Sequence, residues 1–148
     1  MKQDARKLLE AFEKRVDGDK LPLFTLTEFF EGNTDEESIA PNQWGYGRPT
    51  LAEIWNQLKK IEERPDVAWV RVALHGDTEV GERNGAIVYD IAGDTILICT
   101  AANIADIEQT ADCKKLCSDG VYETFDSAWY TEIPSIPDEY QVLTLCWD

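Results

Sequence analysis

The side chains equipped for chemistry begin with His75, the chain's one histidine. It ends an apolar stretch and is followed by Gly76, Asp77 and Glu79. An imidazole that titrates near neutral pH, oriented by a carboxylate, can act as a general base. A base needs a group to activate, and the serines offer no nucleophile in a recognisable turn. Ser38, Ser118, Ser127 and Ser135 all lack the Gly-x-Ser-x-Gly frame. The sequence therefore favours a partly exposed structural histidine and no catalytic residue. A pocket centred on His75, Asp77 and Glu79 is kept as the alternative, that of a small enzyme or ligand-binding domain.

Metal and phosphate chemistry are poorly served. Cys113 and Cys117 lie four apart in a segment read as helical, hence on one face. Zinc would need two further ligands, and only one histidine exists, so a reduced pair of thiols facing the core is expected. Cys99 and Cys146 fall in apolar strand-like runs and read as small buried hydrophobes. Between Glu31 and Ser38, the residues Asn33, Asp35 and Glu37 alternate as calcium ligands would. Ser38, however, stands where such a loop needs glycine, and Trp44 where it needs a bidentate glutamate. Gly45-Tyr46-Gly47 has no third glycine and does not join a strand to a helix, as a dinucleotide site requires. No metal and no cofactor is expected.

Charge is the strongest compositional signal. The 148 residues carry 29 Asp+Glu against 14 Lys+Arg, a net of −15. Residues 84–148 hold 12 of the acids and only two bases, Lys114 and Lys115. Such a field favours cationic partners and repels nucleic acid and anionic membranes. The bases Lys59, Lys60 and Arg64 sit among Glu62 and Glu63 rather than interleaving with aromatic residues. The start, Met1-Lys2-Gln3-Asp4, has no apolar run suited to export, and no stretch approaches membrane-spanning length, so a cytoplasmic protein is expected. At 43% hydrophobic and 10% aromatic residues, disorder is excluded and one real core is affordable.

The elements that must position these residues follow from periodicity. Ala5, Leu8, Leu9, Phe12 and Val16 have helical spacing, and Asp17-Gly18-Asp19 stops that helix. Thr25 with Glu28, and Thr50 with Glu53, have capping-box spacing and predict two more helix starts. The second of these helices ends at Arg64-Pro65, since the residue before proline avoids the helical region. Strands are predicted at 67–74, 85–91 and 95–100, with Ala92-Gly93-Asp94 read as a tight hairpin between the last two. A helix from Asn103 to about Cys117 comes next, then strands at 121–125 and 141–147. Helices grouped at the front and a hairpin-rich remainder predict one α+β domain over residues 1–148. Its sheet should be mainly antiparallel, with about five strands and helices packed on it.

One segment has unusual composition. The connection from Glu31 to Arg48 combines Glu31, Asp35, Glu36 and Glu37 with Trp44, Tyr46 and Arg48. Long connections of this kind are often functional. The run Pro22-Leu23-Phe24-Thr25-Leu26-Thr27-Glu28-Phe29-Phe30-Glu31-Gly32-Asn33, with Ser38-Ile39-Ala40-Pro41-Asn42 after it, resembles a signature of small uncharacterised bacterial proteins. Those proteins are similar in size and acidity to immunity proteins of polymorphic toxin systems. The resemblance rests on the 17 residues quoted out of 148, reflects a helix cap and loop, and implies no catalytic residue. The net charge of −15, the missing catalytic constellation and this aromatic loop together predict an acidic, non-enzymatic binding protein that inhibits or sequesters a cationic protein partner, as an immunity protein would. On that reading the four carboxylates steer the partner, and Trp44, Tyr46 and Arg48 anchor it. A structural or oligomerising module is the third possibility, and a large exposed apolar sheet face would be its sign.

Overall fold

The computed structural model describes residues 3–74, 79–90 and 93–147. Apolar spacing forms the first helix, α1 (Gln3–Arg15), which buries Leu8 and Phe12. A two-residue strand β1 (Leu23–Phe24) leads into α2 (Leu26–Phe30). The capping box at its start is present: Glu28 N–H donates to Thr25 Oγ1 at 3.1 Å, and Thr25 N–H donates to Glu28 Oε1 at 2.8 Å. Thr50 likewise accepts from Glu53 N–H to open α3 (Leu51–Glu62). A cap of this type is worth roughly 1 kcal/mol. Leu51, Ile54, Leu58 and Ile61 then face the core from α3.

The main sheet comprises β1, β2 (Val67–Leu74), β5 (Gly93–Thr100), β6 (Gly120–Tyr122) and β7 (Gln141–Cys146). Its order is β1-β2-β5-β7-β6, antiparallel throughout. Side chains alternate between the two faces of each strand. Val70, Val72, Ile96, Ile98, Leu143 and Leu145 join the helices in the larger core. Trp69, Leu97, Cys99 and Val142 point the other way into a smaller cluster. That second face is closed by the irregular segment 123–140, whose Phe125, Tyr130, Ile133 and Tyr140 pack against it. The α+β architecture with a five-stranded antiparallel sheet is as expected.

Two expectations are corrected. The hairpin expected around Ala92-Gly93-Asp94 is not formed by the described residues: Ala92 lies outside them, and Gly93 and Asp94 belong to β5 (Gly93–Thr100). Strand β3 (Glu79–Arg83) pairs with β4 (Ala86–Asp90), and β5 pairs with β2 and β7 instead. Strands β3 and β4 therefore form a two-stranded antiparallel sheet of their own. Its turn is at Asn84 (φ 53°) and Gly85 (φ 78°), the pair of positive φ angles that Asn-Gly tolerates in a two-residue hairpin. The polar run of Glu79, Glu82 and Arg83 hid the β3 strand.

The second correction concerns the helix expected to run to Cys117. It is α4 (Ile104–Ala111), opened by the Asn103 side chain and closed at Asp112, whose φ is 56°. A four-residue turn, α5 (Cys113–Leu116), follows. Cys113 and Cys117 are thus not on a continuous helix. Cys117 is itself left-handed, at φ 59°, and both thiols are partly exposed rather than buried in the core.

Candidate functional site

The connection between α2 and α3 is built around one buried cation. Arg48 has a fully enclosed side chain. Its NH2 donates to Glu36 Oε1 at 2.6 Å, and its NH1 to the carbonyls of Ile39, at 2.6 Å, and Glu36. Its Nε donates to the Pro49 carbonyl at 2.9 Å. Burial pushes the guanidinium below its ordinary pKa, while the charge and hydrogen bond of Glu36 pull the other way. The same Glu36 Oε1 accepts from Leu51 N–H at 3.0 Å, tying the clasp to the first turn of α3. Arg48, expected as a surface anchor, is therefore an internal clamp. A planar fork with several donors can satisfy carbonyls that converge from different parts of a loop, and this is what draws it inward.

The acidic residues divide by the direction of their work. Glu31 and Glu37 are exposed. Asp35 is half-buried, and its carboxylate accepts from Glu37 N–H at 3.1 Å. Glu36 belongs to the clasp. Asn33 is also turned inward, donating from Nδ2 to Phe29 O at 3.1 Å and to Ser38 Oγ at 3.0 Å. The calcium-like alternation is thus spent on shaping backbone. Among the described residues no group of three or more His, Cys, Asp or Glu is gathered as a metal site would require.

The loop is fixed to the sheet at Gly93. Ala40 N–H donates to Gly93 O at 2.8 Å, and Ile39 bridges the same residue in parallel. A Cβ on Gly93 would lie 3.3 Å from the Phe29 ring and 3.4 Å from Ile39 Cγ1, so a larger residue would require these side chains to give by a few tenths of an ångström. Trp44 lies over the guanidinium of Arg48, with the ring centroid 4.4 Å from Cζ, and is 36% exposed. Tyr46 is 83% exposed. The loop therefore presents Tyr46 to solvent from a base held by Arg48, Glu36 and Gly93.

The alternative pocket is not assembled by the described residues. His75 and Asp77 lie outside them, and Glu79 is the first residue of β3. A groove of about 630 Å³ runs instead between α1 and α2, with Leu8, Ala11, Phe24 and Phe29 among its walls and Glu31 at its edge. Exposed large apolar side chains unforeseen in the sequence are Tyr122, Trp129 and Ile136. Their signal is faint, because they sit in or beside the irregular 123–140 segment, where no periodicity separates inward from outward residues.

A family model described as the uncharacterized protein YfbO family matches residues 3–145, and the chain belongs to that family. No curated protein and no solved structure matches it. No helix among the described residues is long and apolar enough to cross a membrane.

Proposed function

We propose that this YfbO-family protein is a non-enzymatic acidic binding protein of the bacterial cytoplasm that engages a cationic protein partner through its 31–48 loop. The observation that carries the reading is Tyr46, 83% exposed on a loop clamped by a buried arginine. Tyrosine offers a large amphipathic contact at low conformational cost, and aromatic residues dominate interface hot spots. A loop already fixed in its bound shape loses less entropy on association. Glu31, Asp35 and Glu37, within a net charge of −15, steer a basic protein and speed its encounter. Trp44, stacked on the Arg48 guanidinium, belongs to the same loop. An immunity-type inhibitor of a basic toxin is the form of this role that the resemblance suggests.

The test is capture from host cytosol at low salt by the wild-type protein and by Tyr46→Ala. A basic protein should be retained by the wild type, released as salt rises, and bound at least about tenfold more weakly by the variant, the loss of a modest hot spot. Failure to retain any basic protein would count against the proposal.

A further inference from the structure

The segment 123–140, which closes the second face of the sheet, has an outer surface of its own. It holds Glu123, Asp126, Glu132, Asp138 and Glu139 and no Lys or Arg. Its inward aromatics complete the smaller cluster, but Trp129 is 56% exposed and Ile136 is 43% exposed. Packing within the monomer thus leaves much of a tryptophan in water.

The segment is nonetheless anchored on both sides of these residues. Leu21 N–H donates to Trp129 O at 2.9 Å, and Thr131 N–H donates to Leu21 O at 2.9 Å. The Asp126 carboxylate accepts from Ala128 N–H at 2.9 Å, shaping the turn that carries Trp129. Trp69 Nε1 donates to Ser135 O at 3.0 Å, beside Ile136. Glu132 meets Arg15 at 3.2 Å. Trp129 and Ile136 are presented on backbone already tied to the sheet and α1, so a partner ordering them pays little further entropy.

We propose that this strap is a docking surface for a basic segment with interspersed apolar side chains, belonging to a cationic protein, with Trp129 as the anchor. The proposal shares with the loop reading the premise of a cationic partner and places a second contact away from Tyr46. Charge selects the occupant. A strap without a single base repels nucleic acid and anionic membrane, and it repels a second copy of a chain carrying −15. A guanidinium can stack on the exposed indole while carboxylates such as Asp126 receive its donors. An apolar neighbour on the same segment would cover Ile136.

Three blocked hexapeptides serve as probes at low salt: one alternating Arg and Leu, one Arg and Ser, one Glu and Leu. Amide shifts on the full-length protein report where each binds. The Arg–Leu peptide should move amides between Asp126 and Ile136. Its affinity should fall at least about tenfold in Trp129→Ala, recover in part in Trp129→Phe, and stay within twofold in Tyr46→Ala. If Trp129→Ala disturbs the fold, Ile136→Ser carries the same test. Equal binding of the Arg–Ser peptide would reduce the surface to bare charge and overturn the proposal. Equal binding of the Glu–Leu peptide, shifts confined to other elements, or indifference to both substitutions would overturn it as well. If the peptides miss the strap while Tyr46 still captures a host protein, this inference alone falls. If the Arg–Leu peptide seats on Trp129 while the captured basic host protein binds Tyr46→Ala as tightly as wild type, only the loop reading falls.

Discussion

Replacing Arg48 by alanine should destabilise the protein by about 3–5 kcal/mol, the range for breaking a buried ion pair from one side. The magnitude follows from what the guanidinium satisfies: the carbonyls of Glu36, Ile39 and Pro49 and the carboxylate of Glu36. Each buried acceptor deprived of its donor costs about 1–3 kcal/mol if it stays dry. The full sum would exceed the stated range, but Glu36 is 31% exposed and the loop lies at the surface, so water recovers part of the loss. In a domain of this size 1 kcal/mol moves the melting midpoint by roughly 2–4 °C, giving a fall of about 6–20 °C. Arg48→Lys should recover less than half of it, because one ammonium cannot span three carbonyls and a carboxylate. Glu36→Gln keeps an acceptor for Leu51 N–H and should cost about 1.5–3 kcal/mol, as for a hydrogen bond made with a charged group. Thermal and urea melts of the three variants decide the matter. A midpoint for Arg48→Ala within about 2 °C of wild type would refute the clamp, since that shift lies well below the range worked above.

Tyr46→Ala should leave stability within about 0.5 kcal/mol, as for an ordinary surface change, while Trp44→Ala should lose about 0.5–1 kcal/mol from its contact with Arg48. A fall above about 10 °C for Tyr46→Ala would mark it as a core cover, where aromatic truncation costs roughly 3–5 kcal/mol. Burial, followed by the charges of Asp94 and Asp126, raises the Tyr130 pKa. The folded state therefore holds this proton longer than the unfolded one. Its contribution to stability is complete below the unfolded pKa of about 10 and is lost as pH rises through the folded value, so the melting midpoint should fall there and fall less in Tyr130→Phe. Protein purified without added metal should contain no stoichiometric zinc by elemental analysis. Cys113, whose thiol is pushed up mainly by burial, should alkylate more slowly at pH 8 in the folded protein than in urea.

Much of the architecture was legible because local chemistry and global fold agree. Thr25 with Glu28 and Thr50 with Glu53 announced two helices, and both caps form. The β-branched run at 67–74 is β2, end to end. The misses have physical causes. Two residues, Leu23 and Phe24, are too few to show a period. Asn84-Gly85 is a stronger hairpin signal than Ala92-Gly93-Asp94, yet the polar strand before it concealed the pairing. Asp112 breaks its helix through a left-handed backbone that a polar side chain tolerates better than an apolar one. The candidate site was legible by composition only. Sequence brought Trp44, Tyr46 and Arg48 together but could not tell which turns inward, since that depends on where the carbonyls of residues 36, 39 and 49 converge. Trp129 carries no sequence signal of its exposure, because its neighbours obey no repeat.

The β3-β4 hairpin with its turn at Asn84-Gly85 has a consequence for the order in which the chain folds. Its two strands zip from an adjacent turn, and β2 and β5 pair over a modest sequence separation, Leu74 with Gly93. The strap depends on contacts of far greater sequence separation: Trp69 to Ser135 spans 66 residues, and Arg15 O to Thr131 spans 116. Closing the longer of these loops costs less than about 0.6 kcal/mol more than closing the shorter, because the entropy grows only with the logarithm of length. Neither contact can form, however, until the strands beneath are in place. The strap should therefore dock last and open first. Native-state hydrogen exchange would show this as early loss of protection at Thr131 relative to Val72, and equal protection would mean that the surface bearing Trp129 unfolds only with the whole domain.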